Sequence, residues 1–304
     1  MTGDVVVLGG GGLLGSAVCR AFARVGRTVR AVSRSGHAPD GVEPVRADVT
    51  RRPELEAALA GAGTVVLAVA HRARGARGWR VAEGTSERGV YVDVCADVAR
   101  WARDAGRAVV VHAGTTTQGT GTTAYDAMKN RGEQHVLAAR GPEVHALGLR
   151  LSTLYGDHPG AAGVVATMAS AAMRGEPLHV WHAGRMTRDL LWSEDAAAAV
   201  VAAEQHAATL SGASWVVGHG TAWAVADVAS TLTREIAATT GRPEVPVLSV
   251  PAPAWAEAGD LQDVRVDPSP FRRITGWRAS TPWPEGARRL VAALLPTAPL
   301  LDPP

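Results

Sequence analysis

Asp4-Val5-Val6-Val7-Leu8-Gly9-Gly10-Gly11-Gly12-Leu13-Leu14-Gly15 decides the architecture. An apolar run, Val5 to Leu8, reads as a short strand, and glycines end it. From Leu13 to Val25 the apolar residues Leu14, Val18, Phe22 and Val25 fall on one face of a helix. Gly9, Gly12 and Gly15 satisfy G-x-x-G-x-x-G, and Gly10, Gly12 and Gly15 satisfy G-x-G-x-x-G. Such a loop turns tightly and lets the backbone approach a pyrophosphate, which then sits on the helix N-terminus. The chain has 34 glycines, so the pattern alone is weak. Its placement between a strand and an amphipathic helix carries the reading.

Outward from this stretch, short β runs alternate with helices. Further strands are expected at Thr28–Ser33, Pro44–Ala47, Thr64–Ala70, Ala108–His112 and Val144–Leu151. Helices are expected at Arg52–Ala60, with Thr50 as N-cap and Pro53 in the first turn, at Ser86–Ala105 and at Thr123–Ala139. The strands are continuous in Val, Leu and Ala rather than alternating, the mark of a parallel sheet covered on both faces. After residue 155 the rhythm changes. Helices at Gly163–Arg174, Ser193–Ala208 and Ala224–Thr240 are interspersed with strands at Leu178–Trp181, Trp215–Val217 and Val245–Val250. Seven of the nine tryptophans lie beyond residue 180, which sets this half apart. The expectation is α/β: a Rossmann-type doubly wound parallel sheet over residues 1–155, a smaller α+β substrate lobe over 156–295 that returns in part to the sheet, and a loose Pro-rich tail at 296–304.

With 304 residues, 46% hydrophobic and 20% charged, the chain builds a real core and is not a disordered or disulfide-stapled protein. A net charge of +2 gives no basis for binding nucleic acid. Cys19 and Cys95 read as buried thiols in a reducing cytosol. No basic leader precedes the first strand, and no apolar run reaches the ~18 residues of a membrane span, so the expected location is cytoplasmic. The ten histidines show neither H-x-x-x-H nor C-x-x-C spacing, so no metal is expected.

Two further features carry chemistry. The second strand ends Ala31-Val32-Ser33-Arg34-Ser35, without the acid that grips the ribose hydroxyls of NAD; Ser33 and Arg34 suit a 2′-phosphate, hence NADPH/NADP. Tyr125 and Lys129 stand four apart, on one helix face. Lys129 is the only lysine in a chain otherwise rich in arginine. A compact ammonium beside a phenol is expected to lower the phenol's pKa and make it a usable acid, a task for which the arginine fork has the wrong geometry. Upstream, Thr115, Thr116 and Thr117 end the fifth strand and offer hydroxyls that complete a Ser/Thr–Tyr–Lys triad.

These residues resemble the extended short-chain dehydrogenase/reductases of the sugar-nucleotide epimerase/dehydratase branch, over residues 4–295. Within that branch the chain is most similar to actinomycete NDP-hexose 4-ketoreductases. The similarity runs through Gly78-Trp79-Arg80, Ser86 to Val94, Ala113 to Gln118, Trp181 to Asp195, Leu210 to Trp215 and Thr275-Gly276-Trp277. The resemblance implies NADPH-dependent reduction of the 4-keto group of a nucleotide-linked sugar. Tyr125 would be the proton donor, Lys129 would hold the nicotinamide ribose and Thr115 would orient the carbonyl, with Thr116 second. It implies a cofactor site of Gly9, Gly12, Leu13, Leu14, Gly15, Ser33, Arg34, Asp48, Val49, Ala68 and Lys129. Substrate contacts would come from Thr116 and Arg188; His71 and Arg80, in a cluster after the fourth strand at the carboxyl end of the sheet, read either as lining of the sugar pocket or as a solvated basic loop. Arg188 is read as a diphosphate ligand or as a salt-bridge partner of Asp189 or Asp195.

The chain departs from the branch in three places. Only ten positions separate Thr115 from Tyr125, a shortened loop. Ala256-Glu257-Ala258 precede Gly259-Asp260 where epimerases carry an arginine. Thr116 and Thr117 stand where dehydratases carry Asp-Glu, which argues against water elimination. The rivals to a ketoreductase are an NDP-sugar 4-epimerase with retained NAD and a non-catalytic NADP-binding sensor. A homodimer is also expected. The helix Ser86–Ala105 carries one apolar stripe at Val90, Val94, Val98 and Trp101 and a second at Tyr91, Cys95 and Ala102, which calls for burial on two sides.

Overall fold

The computed structural model of the chain describes residues 3–70, 85–119, 123–256 and 258–295. The first half runs β1 (Asp4–Leu8), α1 (Leu13–Arg24), β2 (Val29–Ser33), β3 (Glu43–Arg46), α2 (Arg52–Leu59), β4 (Ala62–Leu67), α3 (Thr85–Arg88), α4 (Val94–Ala105), β5 (Ala108–Thr115), α5 (Ala124–Leu137) and β6 (Val144–Leu151). A π-helical turn, Gly89–Asp93, joins α3 to α4. The second half runs β7 (Thr153–Tyr155), α6 (Val164–Met173), β8 (Leu178–Trp181), β9 (Thr187–Trp192), α7 (Ser193–Gln205), α8 (Ala207–Leu210), β10 (Ser214–Val217), β11 (Ala222–Ala224), α9 (Val225–Thr240), β12 (Val247–Val250), α10 (Ser269–Thr275) and α11 (Trp283–Leu294).

Seven parallel strands form the main sheet in the order β10-β6-β5-β4-β1-β2-β3. The fold is α/β and Rossmann-like. Val5, Val6, Val7 and Leu8 have no exposed surface, because α1 and α7 cover one face of the sheet and α2, α4 and α5 the other. This double cover is why the strands read as continuous apolar runs. Strand order reverses between β1 and β4, so the carboxyl ends of the strands open a crevice there.

A second core gathers α6, α9 and α11 around Tyr155, Trp192 and Trp283. It holds a three-stranded sheet, β11-β9-β7, and a two-stranded one, β12-β8. Two buried carboxylates fasten this part to the sheet. Asp189 accepts from Ser152 Oγ at 2.7 Å and from the amides of His219 and Gly220 at 2.9 and 2.6 Å. Asp195 accepts from Ser280 Oγ at 2.7 Å and from the Thr281 amide at 2.9 Å.

Three expectations change. Thr50 does not cap α2: its hydroxyl donates to Asp48 Oδ1 at 2.7 Å, and Arg51 occupies the cap without a side-chain bond. β7, β9, β11, α10 and α11 were not expected; β7 and β11, of three residues each, are too short for a period to show. The two stripes of the α4 helix do not need a second subunit. Val94 and Val98 join the core under the sheet, and Tyr91, Cys95 and Ala102 are buried in the same chain, where α5 packs against them. Gly132 of α5 makes this possible. A Cβ there would stand 2.1 Å from the Tyr91 carbonyl oxygen and 3.0 Å from Cys95 Sγ. Cys19 and Cys95 are buried free thiols. No helix among the described residues is long and apolar enough to cross a membrane.

Candidate active site

The crevice is a cleft of about 1780 Å³. At its floor the glycine loop folds back on β1. The Gly9 amide donates to Val32 O at 2.9 Å and the Gly12 amide to Gly9 O at 3.0 Å. Gly9 has a φ of +89°, and a Cβ there would stand 2.6 Å from Ala68 O; at Gly15 a Cβ would meet Gly9 O at 2.1 Å. The chain's own packing therefore demands these two glycines. Gly12 is different: its Cβ would find only Gly9 O, at 3.4 Å, so the protein leaves room that a side chain would fill. Gly12 caps α1 without a side-chain bond, and the first turn of α1 carries no acid. That turn is a cradle for an anion. Leu13 and Leu14 line the cleft beside it, while Gly15 lies inside the helix.

The ends of β2, β3 and β4 form the next stretch of wall. Ser33, Arg34, Asp48, Val49 and Ala68 all line the cleft. Arg34 is exposed and belongs to no ion pair among the described residues. The Thr50 hydroxyl, then burial and the Thr50 amide, act on Asp48, with a net lowering of its carboxyl pKa; Arg34 adds a smaller lowering field.

Across the cleft, β5 and α5 bring Thr115, Thr116, Tyr125 and Lys129 to one wall. Lys129 is buried, and its ammonium donates to Ala113 O at 2.9 Å and lies 5.2 Å from the Tyr91 ring centroid. Burial lowers its pKa from 10.5 to about 8. The Tyr91 ring meets Tyr125 edge-on at 5.4 Å. Here the structure corrects the sequence reading. Burial, then Tyr91 and Asp126, push the Tyr125 phenol pKa up rather than down, so the hydroxyl holds its proton. The ammonium meant to lower it is turned onto a backbone carbonyl. His112, buried in β5 below, is driven well below its ordinary pKa by burial and then by Lys129 and Arg150.

Sequence reasoning missed the site roles of Asp126, Gln118 and Tyr91, and read Thr117 only as one more hydroxyl for the triad. Asp126 is buried and accepts from Thr117 Oγ1 at 2.6 Å and Thr123 Oγ1 at 2.8 Å. Thr123 in turn caps α5 by accepting from the Asp126 amide at 3.1 Å. The T-x-x-D spacing just before a helix was the available signal. Gln118 Oε1 accepts from the Thr115 amide at 2.6 Å and ties off β5.

Arg188 faces the cleft from β9, but neither Asp189 nor Asp195 holds it. Its guanidinium donates to the carbonyls of Thr187, Gln262 and Asp260 at 2.9, 2.6 and 2.7 Å. It pins the segment Asp260–Gln262, which also lines the cleft. His71 and Arg80 lie outside the described residues. Among the described residues no cluster of His, Cys, Asp and Glu is placed to hold a metal.

A glycine cradle at the switch point of a doubly wound sheet, facing a Tyr–Lys pair on a crossover helix, defines the extended short-chain dehydrogenase/reductase class. The NAD dependent epimerase/dehydratase family model matches residues 5–218, and the chain belongs to that family. Solved structures agree on the fold. An epimerase from Methanothermobacter thermautotrophicus is 20% identical with a TM-score of 0.84, over 97% of this chain and 93% of that one. The UDP-glucose 4-epimerase of Thermotoga maritima, solved with UDP-glucose, is 18% identical with a TM-score of 0.80, over 97% and 99%. That of Stenotrophomonas maltophila, with bound NAD and formylated UDP-arabinopyranose, is 22% identical with a TM-score of 0.79, over 98% and 100%.

Proposed function

We propose that the chain is an NADPH-dependent reductase acting on the 4-keto group of a nucleotide-linked, TDP-type 4-keto-6-deoxyhexose. The observation that carries this reading is the end of β2, where Ser33 and Arg34 line the cleft and no acid stands to grip the ribose hydroxyls of a retained NAD. Tyr125, on the opposite wall of the same cleft, is the proton donor of the reduction. Family membership and the nucleotide sugars bound by the Thermotoga and Stenotrophomonas enzymes support the substrate class. The exposed Arg34, with no acid beside it, supports the phosphorylated dinucleotide.

The residues present fit that cofactor. The room at Gly12 admits a pyrophosphate to the first turn of α1. Ser33 and Arg34 would take the 2′-phosphate, Asp48, Val49 and Ala68 the adenosine, and Lys129 a ribose hydroxyl. When bound, the reduced nicotinamide supplies hydride to the carbonyl carbon. Tyr125 delivers its proton to the oxygen as negative charge develops there. Arg188 shapes the Asp260–Gln262 wall and contributes to diphosphate binding through that wall.

A second reading, a 4-epimerase that retains NAD, is favoured by the epimerases among the similar structures. Purified protein mixed with NADPH and a TDP-4-keto-6-deoxyhexose separates the two. Consumption of NADPH with formation of the 4-hydroxy sugar supports the reductase. NAD that copurifies, together with UDP-glucose/UDP-galactose interconversion without added cofactor, overturns it. Nucleotide binding without turnover of either substrate identifies a sensor.

A further inference from the structure

The hydrogen bonds around Asp126 fix which way each neighbouring hydroxyl points its single proton. A carboxylate only accepts. Thr117 Oγ1 therefore donates to Asp126 Oδ1, at 2.6 Å, and Thr123 Oγ1 donates to Oδ2, at 2.8 Å. Thr115 Oγ1 lies 3.1 Å from Thr117 Oγ1. Since the Thr117 proton is committed to Asp126, Thr117 accepts here and Thr115 donates. Reversing the chain would strip Asp126 of a charge-assisted bond, about twice as strong as a neutral one. The Thr115 oxygen also faces the Thr117 amide, at 3.4 Å. Thr115 thus presents a lone pair to the cleft, and a lone pair does not orient a carbonyl.

Thr116 is placed otherwise. It is half-buried, lines the same cleft, and its hydroxyl makes no hydrogen bond with any described residue. Its proton is uncommitted.

We propose that Thr116, not Thr115, donates to the substrate carbonyl, and that Asp126 is the positioning residue that, through Thr117, takes Thr115 out of that role. This rests on the reductase reading for the identity of the carbonyl; the direction of the protons does not. An alternative role for Asp126, as only the partner of the α5 cap, involves Oδ2 and Thr123 and leaves the Oδ1 bond to Thr117 unexplained.

Two measurements test it. Neutron diffraction from crystals of the deuterium-exchanged protein locates the Thr115 deuteron. It is expected on the line to Thr117 Oγ1, and a deuteron pointing into the cleft overturns the proposal whatever the substrate. Kinetics with NADPH and the keto sugar give the second. Thr116→Val is expected to lower kcat by about 10²-fold or more, the usual loss of an oriented donor, with a smaller change in KM. Thr115→Val is expected to keep most of the turnover. Adding Thr117→Val to Thr116→Val frees the Thr115 proton and should restore part of the loss. Thr117→Ser, which keeps the relay, should restore none. A large loss in Thr115→Val with near-normal Thr116→Val overturns the assignment, as does a Thr117→Val addition that restores nothing. Should a Thr117 variant fold poorly, the neutron map and the comparison of Thr115→Val with Thr116→Val still decide. Parent protein inert toward the keto sugar would refute the reductase reading and leave the proton direction to the neutron map.

Discussion

Gly132→Ala tests how the wall behind Tyr125 is built. The alanine Cβ would stand 2.1 Å from the Tyr91 carbonyl oxygen, where ordinary contact begins near 3.4 Å. The obstacle is backbone in the π-helical turn, so no side chain can rotate away. Either α5 or the turn must move by more than an ångström. Overpacking of this kind costs typically 1–3 kcal/mol, which lowers Tm by roughly 2–12 °C on the scaling of about 2–4 °C per kcal/mol. The displacement also reaches the site, because Tyr91 supports the Tyr125 ring at 5.4 Å and faces the Lys129 ammonium at 5.2 Å. Thermal melting and steady-state turnover of the keto sugar measure both effects, and dinucleotide affinity should fall less than turnover, since the glycine cradle lies across the cleft and only the Lys129 contact sits on the displaced wall. Gly141→Ala is the control, its Cβ meeting only Val144 side-chain atoms at 3.8 Å and beyond. A Gly132→Ala protein that melts with the parent and turns over at the parent rate would show that the two helices have slack and that the Tyr91 contact is idle.

Tyr125→Phe keeps the ring and removes the proton; turnover should fall by about 10²–10⁴-fold with NADPH affinity retained, as read from progress curves and a fluorescence titration. Lys129→Met should raise stability at pH 7. The buried ammonium has its folded pKa lowered to about 8 from 10.5, so the parent gains stability as pH rises through that window while the variant does not. The advantage should be up to about 3 kcal/mol below pH 8 and should fade toward pH 10.5, which denaturant melts across that range would show. The same variant should lose turnover and bind NADPH less tightly. Arg34→Asp should move the preference toward NADH; a parent that binds NADH as tightly as NADPH would contradict the assignment of Ser33 and Arg34.

The sheet was legible because its strands are buried on both faces: Val5–Leu8 and Val109–Val111 are apolar without interruption. The glycine loop was legible because backbone crowding at Gly9 and Gly15 leaves no other residue possible. Tyr125 and Lys129 stood out through spacing and the rarity of lysine. The electrostatics between them did not, because spacing on a helix does not reveal that Ala113 O captures the ammonium. Tyr91 was misread for a related reason. An apolar stripe shows that a helix face is covered, but not whether the cover is another subunit or the neighbouring helix. Asp126 was hidden because its importance depends on Thr117, nine residues away across a loop.

A chain with one lysine, itself buried, is labelled in an unusual way by its own composition. Amine-reactive dyes or surfaces meet no exposed lysine side chain among the described residues. A lysine-specific protease has one cleavage point, in the middle of α5, and reaches it only when that helix leaves the sheet. The appearance of two fragments therefore counts openings of the active-site wall directly. Reductive methylation with isotope-labelled formaldehyde, done on the unfolded chain and followed by refolding, would leave one side-chain amine resonance, and its titration would report the protonation of Lys129 free of overlap.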